Sequence, residues 1–314
     1  MTTPLVTIAI PAYKTEFLAE AIASALAQTY ASIEVLVVDD ASPADVEAVV
    51  SRYFDPRLVY CRNARNLGAA DPSRNWQRCL ALARGEFICI LCDDDVYAPD
   101  YVQTLLALAE RYPSCAAFRS GVQEIDGAGK VTGYYALALE HESMEEYIWH
   151  YFSRNNHQTI SEWMLRVSAL KAIGGYVACP AAWGSDCATV FLLAEKGGVG
   201  TSPQRLMSFR DSGINITGLH YRYNRLKVLG WQCMCDVATG LLQRSTHPDR
   251  AMMAQVVEHE RRRELRKLFR HSSVSELCAM IMNRHRYGLP LSYFVLMMLR
   301  NPFWCAIARH RRRR

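Results

Sequence analysis

The N-terminal third of the chain alternates unbroken apolar runs with segments whose apolar residues recur every three or four positions. Val6–Ile10, Ile33–Val38 and Phe87–Cys92 are runs of the first kind, bounded by turn-type residues. That is the pattern of strands buried on both faces of a parallel sheet. Leu18, Ile22 and Leu26 repeat at helical spacing behind Thr15, a residue type suited to capping a helix. Ala44–Tyr53, Ser73–Ala83 and Pro99–Arg111 read as further helices, and Leu58–Tyr60 and Cys115–Phe118 as short strands. This alternation predicts βαβ units around a parallel sheet. Right-handed crossovers bring the strand ends carrying Tyr13, Asp40 and Asp93 to one edge, where ligands bind in open α/β sheets.

Three acids, Asp93, Asp94 and Asp95, stand where the third run ends. Like charges so close together repel, and a divalent cation relieves them. A hard cation on one or two carboxylates keeps its other positions for water and phosphate oxygens, so a metal-diphosphate site is expected here. The plainer alternative is that these acids start the helix near Pro99. The turn after the first strand, Pro11-Ala12-Tyr13-Lys14, has no glycine, which argues against a dinucleotide-binding dehydrogenase. Tyr13 either packs or offers its face to a base. Asp40 is either a turn residue before Ser42-Pro43 or an acceptor for the N3–H of uracil or thymine.

The pieces VTIAIPAY (6–13), LAEAIASALAQ (18–28), EVLVVDDAS (34–42), RNLG (65–68), Ser73-Arg74-Asn75 and GEFICILCDDDVYAPDY (85–101) occur in fixed order. Gly174-Gly175-Tyr176 and Trp183-Gly184-Ser185-Asp186 come later. Together they resemble the inverting glycosyltransferases of family 2, over roughly residues 1 to 215. The resemblance implies an α/β GT-A fold, Rossmann-like, with a mostly parallel sheet flanked by helices; a helical C-terminal appendage is a separate reading, from charge and periodicity. The resemblance also implies that Pro11, Tyr13 and Asp40 bind the nucleobase and that Arg74 lies near the diphosphate. Asp93 then reaches the ribose or metal shell, and Asp94 ligates Mg²⁺ or Mn²⁺. Many relatives carry acid-Ser-Asp-Asp before the helix proline, whereas Cys92 stands first of those four positions here. The assignment of the metal to Asp94 therefore rests on a minority pattern counted back from Pro99.

Glu162–Val167 reads as a strand, Ser168–Ala172 as a short helix closed by Gly174-Gly175, and Ala188–Ala194 as an apolar helix. Asp186 just ahead of that helix reads alone as an N-cap; the resemblance makes it the catalytic base. An acceptor hydroxyl needs such a base, which contributes about 10²–10⁴-fold. Arg74 reads alone as a surface ion pair, though guanidinium also suits phosphate oxygens. Phe209–Thr217 resembles the segment that folds over the donor; Arg210 and Asn215 in it are expected on an exposed loop. Trp163 and Trp183 are expected near the sugar.

Charge divides the chain. Residues 1–219 carry 17 Lys+Arg and 25 Asp+Glu; residues 220–314 carry 19 and 6. This implies two regions: a catalytic domain over 1–219, and a basic helical region over 220–314. The latter holds helices over Tyr221–Leu242, Arg250–Phe269, Val274–Asn283 and Leu291–Ala308. Leu289–Leu299 is apolar but shorter than the roughly 20 residues of a spanning helix. With Arg261–Arg263 and the terminal arginines it suits peripheral contact with anionic lipid at the inner leaflet; the alternatives are a helical subdomain packed on the catalytic domain, or a contact between copies of the chain, with a merely solvated tail. No nucleic-acid-binding motif accompanies the tail. Eleven cysteines give no paired framework; Cys89 and Cys92 fall on a buried strand rather than at a redox or zinc site. Met1–Pro4 leads directly into a strand, without a signal-peptide pattern, so a cytoplasmic protein is expected. The expected reaction is transfer from a UDP- or dTDP-sugar to a glycan or lipid-linked acceptor in bacterial surface-polysaccharide synthesis. A sugar-nucleotide nucleotidyltransferase and a non-catalytic binding module are the alternatives.

Overall fold

A computed structural model of the chain describes residues 3–68, 71–154, 158–213 and 225–271, with single positions at 278, 281, 282 and 291. In chain order, β1 is Val6–Ala12, α1 Leu18–Leu26, β2 Ile33–Asp39, α2 Val46–Val50 and β3 Leu58–Arg62. Then come α3 Ser73–Leu82, β4 Phe87–Ile90, β5 Val96–Tyr97, α4 Tyr101–Arg111, β6 Ala117–Ile125, β7 Val131–Tyr134 and β8 His141–Glu142. The second half holds α5 Met144–Arg154, β9 Trp163–Arg166, α6 Val167–Ala172, α7 Ser185–Ala194, β10 Val199–Arg210, α8 Arg225–Arg244 and α9 Arg250–His271. The strand order is β3-β2-β1-β4-β9-β6-β10-β5, with β7 on β6 and β8 on β10.

Apolar residues alternate between the two faces of the sheet, as the two-residue period of a strand requires. Val6, Ile8 and Ile10 meet α1, α2 and α4 on one face. Ala9, Leu36, Ile88 and Ile90 face the other way, against α3, α5, α7 and α8. The first four strands of the order are parallel, in the register Ala12↔Asp39 and Ala9↔Ile90, so Tyr13, Asp40 and the acids after Leu91 emerge together.

The parallel expectation fails at β9, which runs antiparallel between β4 and β6, with Cys89↔Met164 and Phe118↔Met164. The reversal matters because the start of β9 now lies at the carboxyl end of β4. The 3₁₀ turn Ile160–Glu162 just ahead of it therefore joins the site edge. β10 runs parallel to β6 and ends at the same edge with Arg210. The start of α1 also differs: its N-cap is Phe17, with no side-chain cap bond, so Thr15 does not cap it. The acids do not cap α4 either, because β5 intervenes and Asp100 is the N-cap residue.

α8 and α9 share a core with α5 and α7, through Met234, Cys235, Ala238, Leu241, Leu242, Met253 and Val257. The expected boundary at residue 220 lies outside the described residues, as do the helices expected beyond Val274, the apolar run 289–299 and the terminal arginines. Arg261, Arg262 and Arg263 are not a bare cationic cluster. They pair with Asp236 and Glu258, with Glu258, and with Glu260, at 2.6–3.3 Å. No helix among the described residues is long and apolar enough to cross a membrane.

Candidate active site

The three acids diverge. Asp93 Oδ2 accepts the backbone N–H groups of Tyr13 and Lys14 at 2.9 and 2.8 Å, tying the end of β1 to the end of β4. Asp94 Oδ2 accepts from Lys14 Nζ at 2.9 Å, with Ser212 Oγ at 3.4 Å. Asp95 accepts from Ser161 Oγ at 2.6 Å and from the Arg210 N–H at 3.0 Å. Repulsion among the acids is thus met by a lysine, a hydroxyl and backbone amides. Burial, with the Asp94 charge, pushes the Asp95 carboxyl up to about 8. Burial also raises Asp93; Lys14 and the two amides oppose it. Among the described residues no group of three or more His, Cys, Asp and Glu side chains converges on one point, so an all-protein metal cage is not built there. A Mg²⁺ ion needs only one or two carboxylates when phosphates and waters complete its shell. Asp94 meets that requirement.

Tyr13 is fixed at both ends. Its N–H binds Asp93, and its carbonyl accepts from Ser42 Oγ at 2.6 Å. Its side chain is left 45% exposed, a placement open to base stacking. Pro11 lies in β1 opposite Val38. Asp40 is buried: its Oδ1 takes Asn63 Nδ2 and the Leu67 N–H, both at 2.8 Å, and its Oδ2 takes the Gly68 N–H at 2.7 Å. A carboxylate has about four lone-pair sites, so one remains for a base. Gly68 suits this approach, because a Cβ there would already lie 3.0 Å from Asp40 Oδ2. Asn75 completes the cage through Asn63, and Arg74 stands exposed beside it on the first turn of α3.

Asp186 occupies the first turn of α7 behind Gly184, whose φ of 81° is a left-handed conformation that favours glycine. Ala181 and Ala182, at φ 57° and 53°, lie just upstream, and Ala41, at φ 51°, comes directly after Asp40. Strained backbone of this kind clusters at functional sites, and here it flanks both sites singled out by the sequence. Asp186 is half-buried. Desolvation raises its pKa, opposed by hydrogen bonding to the Cys187 N–H and thiol.

The 3₁₀ turn links the two sides. Its Ser161 hydroxyl holds Asp95, and the adjoining Glu162 is close enough to Asp186 to feel its charge. Burial, reduced by Arg119 and reinforced by Asp186, pushes Glu162 up to about 8. The acids near Asp94 and the carboxylate of Asp186 thereby border one short turn at one sheet edge.

Two expectations, for Arg210 and Trp163, need correction. Arg210 is not on an exposed loop but buried at the end of β10. Its Nε donates to the Asp94 carbonyl at 2.9 Å, its guanidinium pairs with Glu20 at 2.6 Å and it covers the Phe17 ring. Asn215 lies outside the described residues. Trp163 is fully buried, with Tyr147 edge-on and Arg119 5.2 Å from its ring centre, so it belongs to the core rather than to a sugar pocket. Trp183 lies under the ammonium of Lys227, 4.1 Å from its ring centre. Cys89 is a buried strand residue, and burial raises its thiol pKa. Ser161, Glu162 and Lys14 escape a reading of the sequence as site residues. Lys14 does leave a signal, as the one basic residue among the first fifty.

Among solved structures, Staphylococcus aureus TarS residues 1–349 in complex with UDP superposes with a TM-score of 0.65 at 14% identity. The match covers 90% of this chain and 80% of TarS. The TarS complex with UDP-GlcNAc gives 0.61 at 15%, over 81% and 71% of the two chains. At such identities the likeness speaks for the fold alone. The putative colanic acid biosynthesis glycosyl transferase WcaA of Escherichia coli K12 is 36% identical over 107 residues, covering 33% of this chain and 37% of WcaA. WfaP of Escherichia coli, named as a UDP-Glc:alpha-D-GlcNAc-diphosphoundecaprenol beta-1,3-glucosyltransferase, is 32% identical over 107 residues, covering 34% of this chain and 41% of WfaP. The chain thus spans well under half the length of these curated relatives. The model of glycosyl transferase family 2 matches residues 7–174, more than half the sequence, and the chain belongs to that family.

Proposed function

We propose that this protein is an inverting glycosyltransferase that moves a sugar from a UDP- or dTDP-sugar to a hydroxyl of a glycan or lipid-linked acceptor, in the synthesis of a bacterial surface polysaccharide. The observation that carries this reading is the single sheet edge shared by two groups. One is the Tyr13 ring, the caged Asp40 and Asp94. The other is Asp186, across the Ile160–Glu162 turn.

In this reading uracil or thymine stacks on Tyr13 beside Pro11 and meets the remaining lone pair of Asp40. Arg74 and Asp93 border the phosphates and ribose. Asp94 holds Mg²⁺ or Mn²⁺, which when bound offsets charge on the departing diphosphate. The acceptor oxygen attacks the anomeric carbon as its proton passes to Asp186. The bond from that carbon to the diphosphate oxygen breaks, and its electron pair leaves with the nucleoside diphosphate. One displacement inverts the anomeric centre. Asp186 must be ionised to accept the proton, so its raised pKa brings the acid limit of the reaction above that of an ordinary aspartate.

The 289–299 segment and terminal arginines would rest on anionic lipid in this scheme. Loss of vesicle binding on removing residues 289–314 supports that contact, and unchanged binding removes it. The reaction itself is tested by incubating the full chain with Mn²⁺ and a panel of nucleotide sugars. Slow release of UDP or dTDP is expected, accelerated by the right acceptor. Consumption of a nucleoside triphosphate with a sugar phosphate would make the protein a nucleotidyltransferase instead.

A further inference from the structure

The Asp94 carboxylate proposed for the divalent ion already holds a cation of the protein through its Oδ2. Lys14 Nζ lies 2.9 Å from Asp94 Oδ2 and 3.6 Å from Asp93 Oδ1, with only 25% of its side chain exposed. Its backbone is pinned, because the Lys14 N–H donates to Asp93 Oδ2. The four-carbon stem beyond that anchor is the free part. A divalent ion and an ammonium repel each other and cannot both stay on one carboxylate oxygen. Lys14 stands next to Tyr13 in the chain, so a nucleotide stacked on that ring carries its phosphates past the reach of this stem. A flexible lysine serves well as a point charge for phosphate.

We propose that Lys14 is the resident counter-cation of the donor site: its ammonium holds Asp94 before the donor arrives and turns onto the donor diphosphate when a divalent ion takes that carboxylate. The inference rests on the glycosyltransferase reading and adds a donor-binding residue to it. A purely structural ion pair is the alternative. It requires Lys14 to do no more than neutralise two buried acids.

The two roles differ in sign across two binding measurements on the full chain. Lys14→Met removes the competitor for Asp94, so Mn²⁺ titrated alone and tracked by electron paramagnetic resonance should bind more tightly than to wild type. The same variant loses a charge-assisted phosphate contact, so UDP titrated at saturating Mn²⁺ should bind about tenfold or more weakly. Lys14→Arg keeps the charge and should return both affinities to within a few-fold of wild type. Thermal melts of both variants without ligand confirm that the compared proteins are folded. Unchanged UDP affinity in Lys14→Met, or Mn²⁺ binding that is unchanged or weakened, overturns the proposal. Wild-type protein that fails to bind UDP with Mn²⁺ would instead remove the nucleotide-sugar reading on which the proposal stands.

Discussion

The two sides of the proposed site are built differently. On the nucleotide side, main-chain groups close to the ends of consecutive parallel strands do the holding: the Tyr13 and Lys14 amides on Asp93, and the Leu67 and Gly68 amides on Asp40. On the Asp186 side, the holding comes from the packing of a helix against a loop. Gly230 of α8 lies against the loop before α7, where an added Cβ would meet the Pro180 and Trp183 carbonyl oxygens at 2.5 Å. Met234 of α8 packs on Gly184, and Lys227 covers Trp183. One side is set by main-chain amides beyond the ends of parallel strands, the other by a late helix. Substitutions on the first should change nucleotide affinity, and those on the second transfer alone.

The largest expected effect is that of Asp186→Asn. Transfer should fall by about 10²–10⁴-fold, the usual worth of a positioned base, while calorimetric UDP binding stays as in wild type. Retained turnover would remove Asp186 from its role, and lost UDP binding would break the division between the sides. Asp40→Ala leaves the Asn63 amide and two N–H groups without their acceptor. A cost of about 2 kcal/mol in a denaturant titration should accompany weakened UDP binding. Gly230→Ala should push the 180–183 loop and lower kcat by about tenfold to a hundredfold, since small displacements of a catalytic group are that costly, with UDP affinity unchanged.

The smallest effect concerns Glu162 and reports on pH. Its folded pKa of about 8 lies above the unfolded value of 4.5, so the folded state binds the extra proton between those limits. Stability should therefore decline as pH rises from about 4.5 through 8. Glu162→Gln, which cannot ionise, should flatten the Tm profile over that window. An identical slope in the variant would place the titration elsewhere.

The nucleotide side is the more legible in sequence because its residues directly follow apolar strand runs. Apolar runs such as Ile33–Val38 identify a buried strand, and the residues immediately after such a run must emerge at the strand's carboxyl end. β10 escapes because two register shifts between Ser202 and Met207 interrupt it. β9 is legible, but not its direction, since nothing within Trp163–Arg166 states which neighbours it will lie between. Ser161 and Arg210 are consequently out of reach as partners of Asp95, because that contact exists only once the fourth and ninth strands are side by side and reversed. Trp163 misleads because an aromatic beside a polar turn resembles a rim residue until Arg119 and Tyr147 are seen to enclose it. The glycosyltransferase motifs point to Asp94 and Asp186 together, and the Ile160–Glu162 turn between them supplies the physical link.

The contact between α8 and the 180–184 loop also has a temporal side. Ribosomes deliver polypeptide from its amino end, and the brace for the base-bearing helix is encoded after every strand of the sheet. A nascent chain that has completed β10 holds all its nucleotide-side amides but not Gly230 or Met234. On the proposed reading, the groups that grip a donor are therefore synthesised before the brace of the Asp186 helix.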